Sequence, residues 1–225
     1  MAYTDIDKPT DYFETILYTG NGSSLEVNGL DFSPDWVWIK KRSNAANHMV
    51  YDSVRGIKKH LHTNTKDTEV SEASDDIGLN SFDSDGFTVK VNGNTNTNNH
   101  TYASWNWRAG TSASGNTSGQ GTAKSYSSSS SSTAGFSIVK YVGNGTANHA
   151  IPHGCGAAPT MIIVKTTTKS NQAWPVDNRQ ANNGAGGIMY LDETGAAGNY
   201  GDSSPFTSVA PTSSVFSVGS PGNTN

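Results

Sequence analysis

Carboxylates are the first groups in this sequence that could do chemistry. Glycoside hydrolysis needs two of them on facing strands, and the chain offers Asp75-Asp76, Asp83 and Asp85. All four sit among loop-forming residues, and the second half of the chain has no acid matching Asp83 or Asp85. A solvated turn is the expectation, not a catalytic pair. His60-Leu61-His62 puts two imidazoles on one strand face, which could begin a metal site, but no third ligand has suitable spacing. Surface or hairpin histidines are expected there. Asp83-Ser84-Asp85-Gly86 starts like a calcium loop but lacks the later ligand positions, including the distant Glu. Cys155 adjoins a histidine in His153-Gly154-Cys155-Gly156, and its flanking glycines and the following Ala157-Ala158-Pro159 place it in a turn before a strand. The glycine-rich stretches lack the Lys-Ser/Thr ending of a phosphate loop. No catalytic residue, metal ligand or cofactor is expected, and the chain is read as non-enzymatic.

Aromatic faces stack on sugar rings, so five tryptophans and nine tyrosines admit a glycan-binding reading. Trp36, Trp38, Trp105 and Trp107 fall at strand positions, where a core role is expected instead. Truncating Trp38 would then cost about 3–5 kcal/mol, as for other large core side chains. The asparagine-rich run Asn92-Gly93-Asn94-Thr95-Asn96-Thr97-Asn98-Asn99 could bond hydroxyls or form a hairpin tip.

The elements that must position these groups are short strands. Apolar residues make up 33% and charged residues 15% of the 225. Gly, Asn, Ser and Thr abound, which suits strands joined by many turns. No stretch keeps helical spacing over ten residues. Trp36-x-Trp38 and Ala103-Ser104-Trp105-Asn106-Trp107-Arg108 alternate at period two, and Asp83-Ser84-Asp85-Gly86 reads as a tight turn feeding Phe87-Thr88-Val89. The net charge of −4 and the absence of a basic stripe disfavour nucleic acid. A single cysteine excludes an intrachain disulfide. Met1-Ala2-Tyr3-Thr4-Asp5 has no signal-peptide character, and no apolar run approaches the ~18 residues of a membrane span. A protein folded in a cytoplasm, without membrane insertion, is expected.

Internal similarity organises the chain. Leu17-Tyr18-Thr19-Gly20-Asn21-Gly22 is answered by Lys140-Tyr141-Val142-Gly143-Asn144-Gly145. Pro34-Asp35-Trp36-Val37-Trp38-Ile39-Lys40 is answered by Pro159-Thr160-Met161-Ile162-Ile163-Val164-Lys165, and Gly86-Phe87-Thr88-Val89 by Val215-Phe216-Ser217-Val218. Three matches in the same order define a repeat. The expected fold is all-β: tandem β-sandwich modules of jelly-roll or lectin-like type, the second incomplete at the C-terminus. The expected divisions are an attachment segment at 1–13, a first module at 14–108, a Ser/Thr/Gly-rich linker at 109–134, and a truncated second module at 135–225. Trp36 and Trp38, and with them Met161 and Ile163, are expected to face the cores. The linker is read as a flexible connector, or as a segment laid across a module or a neighbouring subunit with Tyr126 as anchor.

Several of these motifs together carry a resemblance. Tyr3-Thr4-Asp5-Ile6-Asp7-Lys8-Pro9, Tyr12-Phe13-x-Thr15-x-Leu17-Tyr18, Asp52-Ser53-Val54-Arg55-Gly56 and Trp105-Asn106-Trp107-Arg108-Ala109-Gly110, with the repeats above, resemble modules in virion proteins of tailed bacteriophages, notably those of marine bacteria and cyanobacteria. The resemblance implies a tail fibre or other surface appendage that contacts the host cell, with a head decoration protein or capsid fibre as the alternative. A carbohydrate-active enzyme is the alternative from another class. It also implies other virion proteins and copies of the chain itself as partners, host surface glycan as a possible ligand, and a location in the virion.

Two expectations concern the ends. Tyr3, Ile6, Tyr12 and Phe13 are apolar groups in a segment too short to fold alone, so they either dock on another virion protein or belong to the core of their own module. After Val218 no counterpart of Tyr102–Arg108 remains, so an exposed groove and edge are expected in the second module. Continuation of the chain or a strand from a neighbour would cover them.

Overall fold

The computed structural model describes residues 6–74, 76–178, 187–195 and 197–225. Tyr3 and Asp75 lie outside them. The protein is all-β: the described residues form antiparallel sheets, and a single 3-10 turn at Pro9–Asp11 precedes the first strand. Two compact units divide the chain, one of Met1–Thr63 with Glu69–Gly110 and one of Asn64–Thr68 with Thr111–Asn225.

The first unit contains β1 (Phe13–Thr19), β2 (Leu25–Asn28), β3 (Trp36–Lys41), β4 (His48–Asp52), β5 (Lys59–His62), β6 (Val70–Ser71), β7 (Leu79–Asp83), β8 (Gly86–Val89) and β9 (Thr101–Trp107). A six-stranded sheet runs β1-β9-β3-β4-β5-β6 and a three-stranded sheet runs β2-β8-β7. Val37, Ile39, Met49, Tyr51 and Tyr102 from the large sheet pack on Val27, Leu79, Phe87 and Val89 from the small one. This is a β-sandwich. Ser84 and Asp85 form the two-residue hairpin turn between β7 and β8, as the sequence predicts. Gly86 follows because a Cβ there would lie 2.0 Å from the Val27 carbonyl oxygen.

The second unit contains β10 (Thr111–Asn116), β11 (Ser118–Gly119), β12 (Ser125–Ser131), β13 (Phe136–Tyr141), β14 (His149–Pro152), β15 (Ile162–Ile163), β16 (Pro175–Asp177), β17 (Ile188–Tyr190) and β18 (Val215–Val218). Its sheets run β10-β12-β13, β11-β14-β18 and β15-β16-β17. Ile151, Ile162, Val164, Ile188, Phe206, Phe216 and Val218 form its core. The repeat is structural as well as sequential. Val27 pairs with Phe87 as Ile151 pairs with Phe216, and Trp38 pairs with Val50 as Ile163 pairs with Val176.

Three expectations need correction. The tryptophans do alternate onto one face, but the buried face is the other one: Val37, Ile39, Ile162 and Val164 point inward. Period two fixes which residues share a face, not which face is covered, and in these strands both rows are apolar. Second, residues 109–134 are not a connector. From Thr111 on they form β10, β11 and β12 within the second unit, with Ser128, Ser129 and Ser130 buried. Ladder hydrogen bonds need only backbone, so serine tolerates a strand wherever its neighbours supply the apolar surface. Third, the place beside β13 is occupied, although no strand follows Val218. Tyr126 lies opposite Tyr141 and Ser131 opposite Phe136, just as Tyr102 lies opposite Tyr18 and Trp107 opposite Phe13. The strand β12, upstream in sequence, takes the position that β9 takes in the first unit.

An asparagine locks each module, fully buried at Asn96 and half-buried at Asn225. Asn96 Oδ1 accepts from the Asn21 N–H at 2.8 Å and the Gly22 N–H at 3.4 Å, while its Nδ2 donates to the Ser23 carbonyl at 2.7 Å. Asn225 repeats this, accepting from the Asn144 N–H at 2.7 Å and the Gly145 N–H at 3.1 Å and donating to the Thr146 carbonyl at 2.7 Å. Tyr18 OH donates to the Thr95 carbonyl, and Tyr141 OH to that of Thr224. The asparagine-rich run is therefore an interior clasp rather than a hairpin tip, and it repeats as Gly93-Asn94-Thr95-Asn96 and Gly222-Asn223-Thr224-Asn225. Replacing fully buried Asn96 by Ala removes the acceptor of two part-buried backbone N–H groups and leaves a hole in the interior. It should cost about 2–4 kcal/mol in urea unfolding, against under about 0.5 kcal/mol for Ala at exposed Asn98.

Candidate functional site

With the aliphatic face of the six-stranded sheet turned inward, the first unit presents an aromatic face outward. Cross-strand register arranges it in rows, whose members Ala103 on β9, Asp52 and Val50 on β4 and Leu61 on β5 are themselves buried. Phe13, Trp107, Trp36 and Asp52 form one row across β1, β9, β3 and β4. Thr15, Trp105, Trp38, Val50 and Leu61 form the next, reaching β5. Leu17, Ala103, Lys40 and His48 form the third. Phe13 and Trp107 pack with ring centroids 4.7 Å apart, and Trp38 and Trp105 meet edge-on at 6.2 Å. The four tryptophans are half-buried, Phe13 is 38% exposed and Leu17 62% exposed.

The cause lies in β9. Its inward row is Tyr102, Ser104 and Asn106, all fully buried. Asn106 Nδ2 donates to the Glu14 carbonyl at 3.1 Å and to Ser104 Oγ at 3.1 Å. Tyr102 stacks on Tyr18 at 5.0 Å, and its OH accepts from the Thr97 N–H at 2.8 Å. Asn106 Nδ2, Ser104 Oγ and Tyr102 OH find partners in neighbouring backbone and side chains, while Asn106 Oδ1 is buried without one, so this row can occupy the inner side at a reduced penalty, and strand alternation then forces Trp105 and Trp107 outward.

A charged network holds one end of the face. The Arg55 guanidinium bonds Asp52 through Nε, Glu69 through an NH group at 3.1 Å and the Val50 carbonyl at 3.1 Å. Both carboxylates are thus committed to an arginine, which is structural use rather than acid–base use. Lys40 Nζ donates to the Ala46 carbonyl at 3.0 Å. Burial and the Lys40 charge together push the His48 imidazole below its usual range.

The other sequence candidates are placed apart from this face. His60 and His62 lie on the inner side of β5, and His60 is buried, so the expectation of surface histidines fails for it. Tyr51, with its ring centroid 5.6 Å from that of His60, packs beside it on that side. Glu72 Oε1 lies 3.3 Å from His60 Nδ1, yet burial favours the neutral form of each. Burial, with His62 and Arg55 nearby, lowers His60 to about 4, and burial raises Glu72 despite a hydrogen bond from Asn92. Among the described residues no group of three potential metal ligands occurs. Asp83 bonds the Thr88 hydroxyl beside its hairpin turn. Cys155 is buried in its turn, donating its N–H to His153 Nδ1 at 3.1 Å, and burial raises its thiol. Of the attachment candidates, Ile6 is partly buried ahead of the 3-10 turn. Tyr12 accepts from the Arg108 N–H through its carbonyl, and Phe13 is the first residue of β1. Tyr12 and Phe13 are therefore built into the first module rather than into a separate segment.

These features define an all-β protein of two sandwich modules, one of which displays an aromatic sheet face. The chain belongs to the family described as a domain of unknown function, DUF7483, whose model matches residues 8–225 and so covers both units. No curated protein and no solved structure matches it.

Two stability experiments follow. Ile39→Ala should cost about 2–5 kcal/mol as a fully buried core truncation, while Trp38→Ala should cost only about 1–2 kcal/mol as a half-buried one. Equal losses in chemical denaturation would place Trp38 in the core after all. The second concerns acid. The unfolded chain protonates His60 near its ordinary 6.5, whereas the folded protein holds it neutral to about 4. Protons therefore favour unfolding in that window, and the His60 contribution is full above 6.5 and lost as pH falls. Glu72, with its raised pKa, works in the opposite direction. His60→Gln should flatten the decline of the urea midpoint between pH 7 and 4.5, whatever its effect on the midpoint at pH 7.

Proposed function

We propose that this chain is a non-catalytic structural component of a tailed-bacteriophage virion, part of a tail fibre or surface appendage, and that its first unit contacts glycan on the host surface. The observation that carries the glycan part is the outward row pair Phe13–Trp107–Trp36 and Trp105–Trp38 on a rigid sheet. Neighbouring strands about 4.8 Å apart set such rings side by side, a spacing that suits successive contacts with sugar rings. Apolar ring faces stack on sugar C–H surfaces, and the face needs no rearrangement to receive them. Half-buried Lys40, in the third row, gives the face a cationic border that can meet hydroxyls. The virion part rests on the sequence resemblance. Other virion proteins and further copies of the chain are its proposed partners, with Ile6 and the sequence before it as the proposed contact.

Titration of host surface polysaccharide into the protein should quench tryptophan fluorescence without releasing oligosaccharide. The Trp38→Ala/Trp105→Ala double variant, with its circular dichroism unchanged, should bind at least tenfold more weakly. Binding unaltered by that change would reject the face as the site, and released oligosaccharide would reject the non-catalytic reading. Immunogold labelling of whole particles should decorate the tail, and label confined to the head would reject the fibre.

A further inference from the structure

Comparing the two units row by row exposes an unfilled position. In the first unit the row Leu61, Val50, Trp38 continues to Trp105 of β9. In the second the equivalent row Met189, Val176, Ile163 stops at β15. The strand β15 ends its sheet, and among the described residues no backbone hydrogen bond reaches its other side. The local sequence is the same Pro-to-Lys pattern, yet β3 pairs over Trp36–Lys41 and β15 over Ile162–Ile163 only. What differs is the neighbour. Although β12 copies β9 beside β13, its far edge carries β10 instead of β15.

We propose that the free edge of β15 is an acceptor for one antiparallel strand from a partner protein, and that the strand it fits carries the alternation of β9. This stands apart from the glycan reading of the first unit. The apolar surface is already in place: Met161 is 60% exposed, Ile163 36%, Met189 42% and Leu191 38%. An unpaired edge beside such a patch is a template for strand addition, in which main-chain bonds supply affinity and alternate side chains supply specificity.

The first unit defines the side-chain chemistry of the occupant. There Asn106 and Ser104 lie beside Val37 and Ile39, the equivalents of Ile162 and Val164, and Trp107 and Trp105 lie beside Trp36 and Trp38, the equivalents of Met161 and Ile163. An incoming segment therefore sets small polar residues over Ile162 and Val164 and aromatic residues over Met161 and Ile163. A second copy is not the donor of such a strand, because its own β9 is held between β1 and β3.

The probe is a labelled peptide with the sequence Thr101–Arg108, added to the full chain. Saturable binding is expected, with amide hydrogen exchange over Met161–Lys165 slowed at least tenfold. A peptide carrying serine at both tryptophan positions should bind at least tenfold more weakly. So should the chain carrying Met161→Asp or, as a second variant, Ile163→Asp, both partly exposed positions whose folding is checked by circular dichroism. No saturable binding, or binding indifferent to these changes in folded protein, would overturn the proposal. A concentration-dependent dimer of the chain alone that Met161→Asp abolishes would overturn it too, by assigning the edge to a second copy.

Discussion

In both modules one asparagine carboxamide closes a Gly-Asn-Gly turn onto the loop that follows the small sheet, and the rest of each sandwich is arranged around that closure. The group satisfies two consecutive backbone N–H groups and one carbonyl in the connection from β1 to β2, and likewise from β13 to β14, polar groups that no strand pairs there. Close approach is part of the device. A Cβ on Gly20 would stand 2.4 Å from the Thr97 carbonyl oxygen, and one on Gly143 would stand 2.3 Å from the Asn225 carbonyl carbon. Lys41, buried at the end of β3, reaches the same loop through the Gly93 carbonyl and the Thr97 hydroxyl. A charged-group hydrogen bond inside the sheet end is worth more than a neutral one, so the clasp also fixes where β3 ends.

The clasp orients β9. Tyr102 sits at its start, stacked on Tyr18 and bonded to the loop, which commits Tyr102, Ser104 and Asn106 to the interior. A polar strand face is buried and the tryptophan face of the same strand is left outside. Hydrophobicity alone favours the reverse orientation. The hydrogen bonds of Asn106 Nδ2 and Ser104 Oγ offset part of the penalty of burying Ser and Asn, and the half-buried tryptophans still shed much of their apolar area against one another.

The second unit keeps the clasp and the aliphatic core but builds its large sheet differently. Ser128 and Ser130 stand where Ser104 and Asn106 stand, and Ser129 and Ser131 replace the outward tryptophans. Small side chains there let the chain pack closely: a Cβ on Gly154 would lie 2.4 Å from Ser130 Oγ. The sheet that is continuous in the first unit is divided into β13-β12-β10 and β15-β16-β17, and among the described residues the aromatic face has no counterpart.

By itself the sequence determined the all-β class, the repeat and its register, the hairpin at Ser84-Asp85, and which residues share a strand face, because these follow from local turn chemistry and period two. It also carried the clasp, since Gly-Asn-Thr-Asn recurs at 93–96 and 222–225, although short polar runs give no local sign of burial. Only the tertiary structure decided that Trp36, Trp38, Trp105 and Trp107 face outward. Both rows of β3 are apolar, and the choice depends on hydrogen bonds that Asn106 and Ser104 make to Glu14 and Ile16, about ninety residues away in sequence. It alone decided that the serine run is a strand, because the stabilisation comes from the edge of β13 and not from the run's own side chains. Pairing between segments distant in sequence is a property of the assembled sheets, and no local pattern encodes which edge a strand will meet.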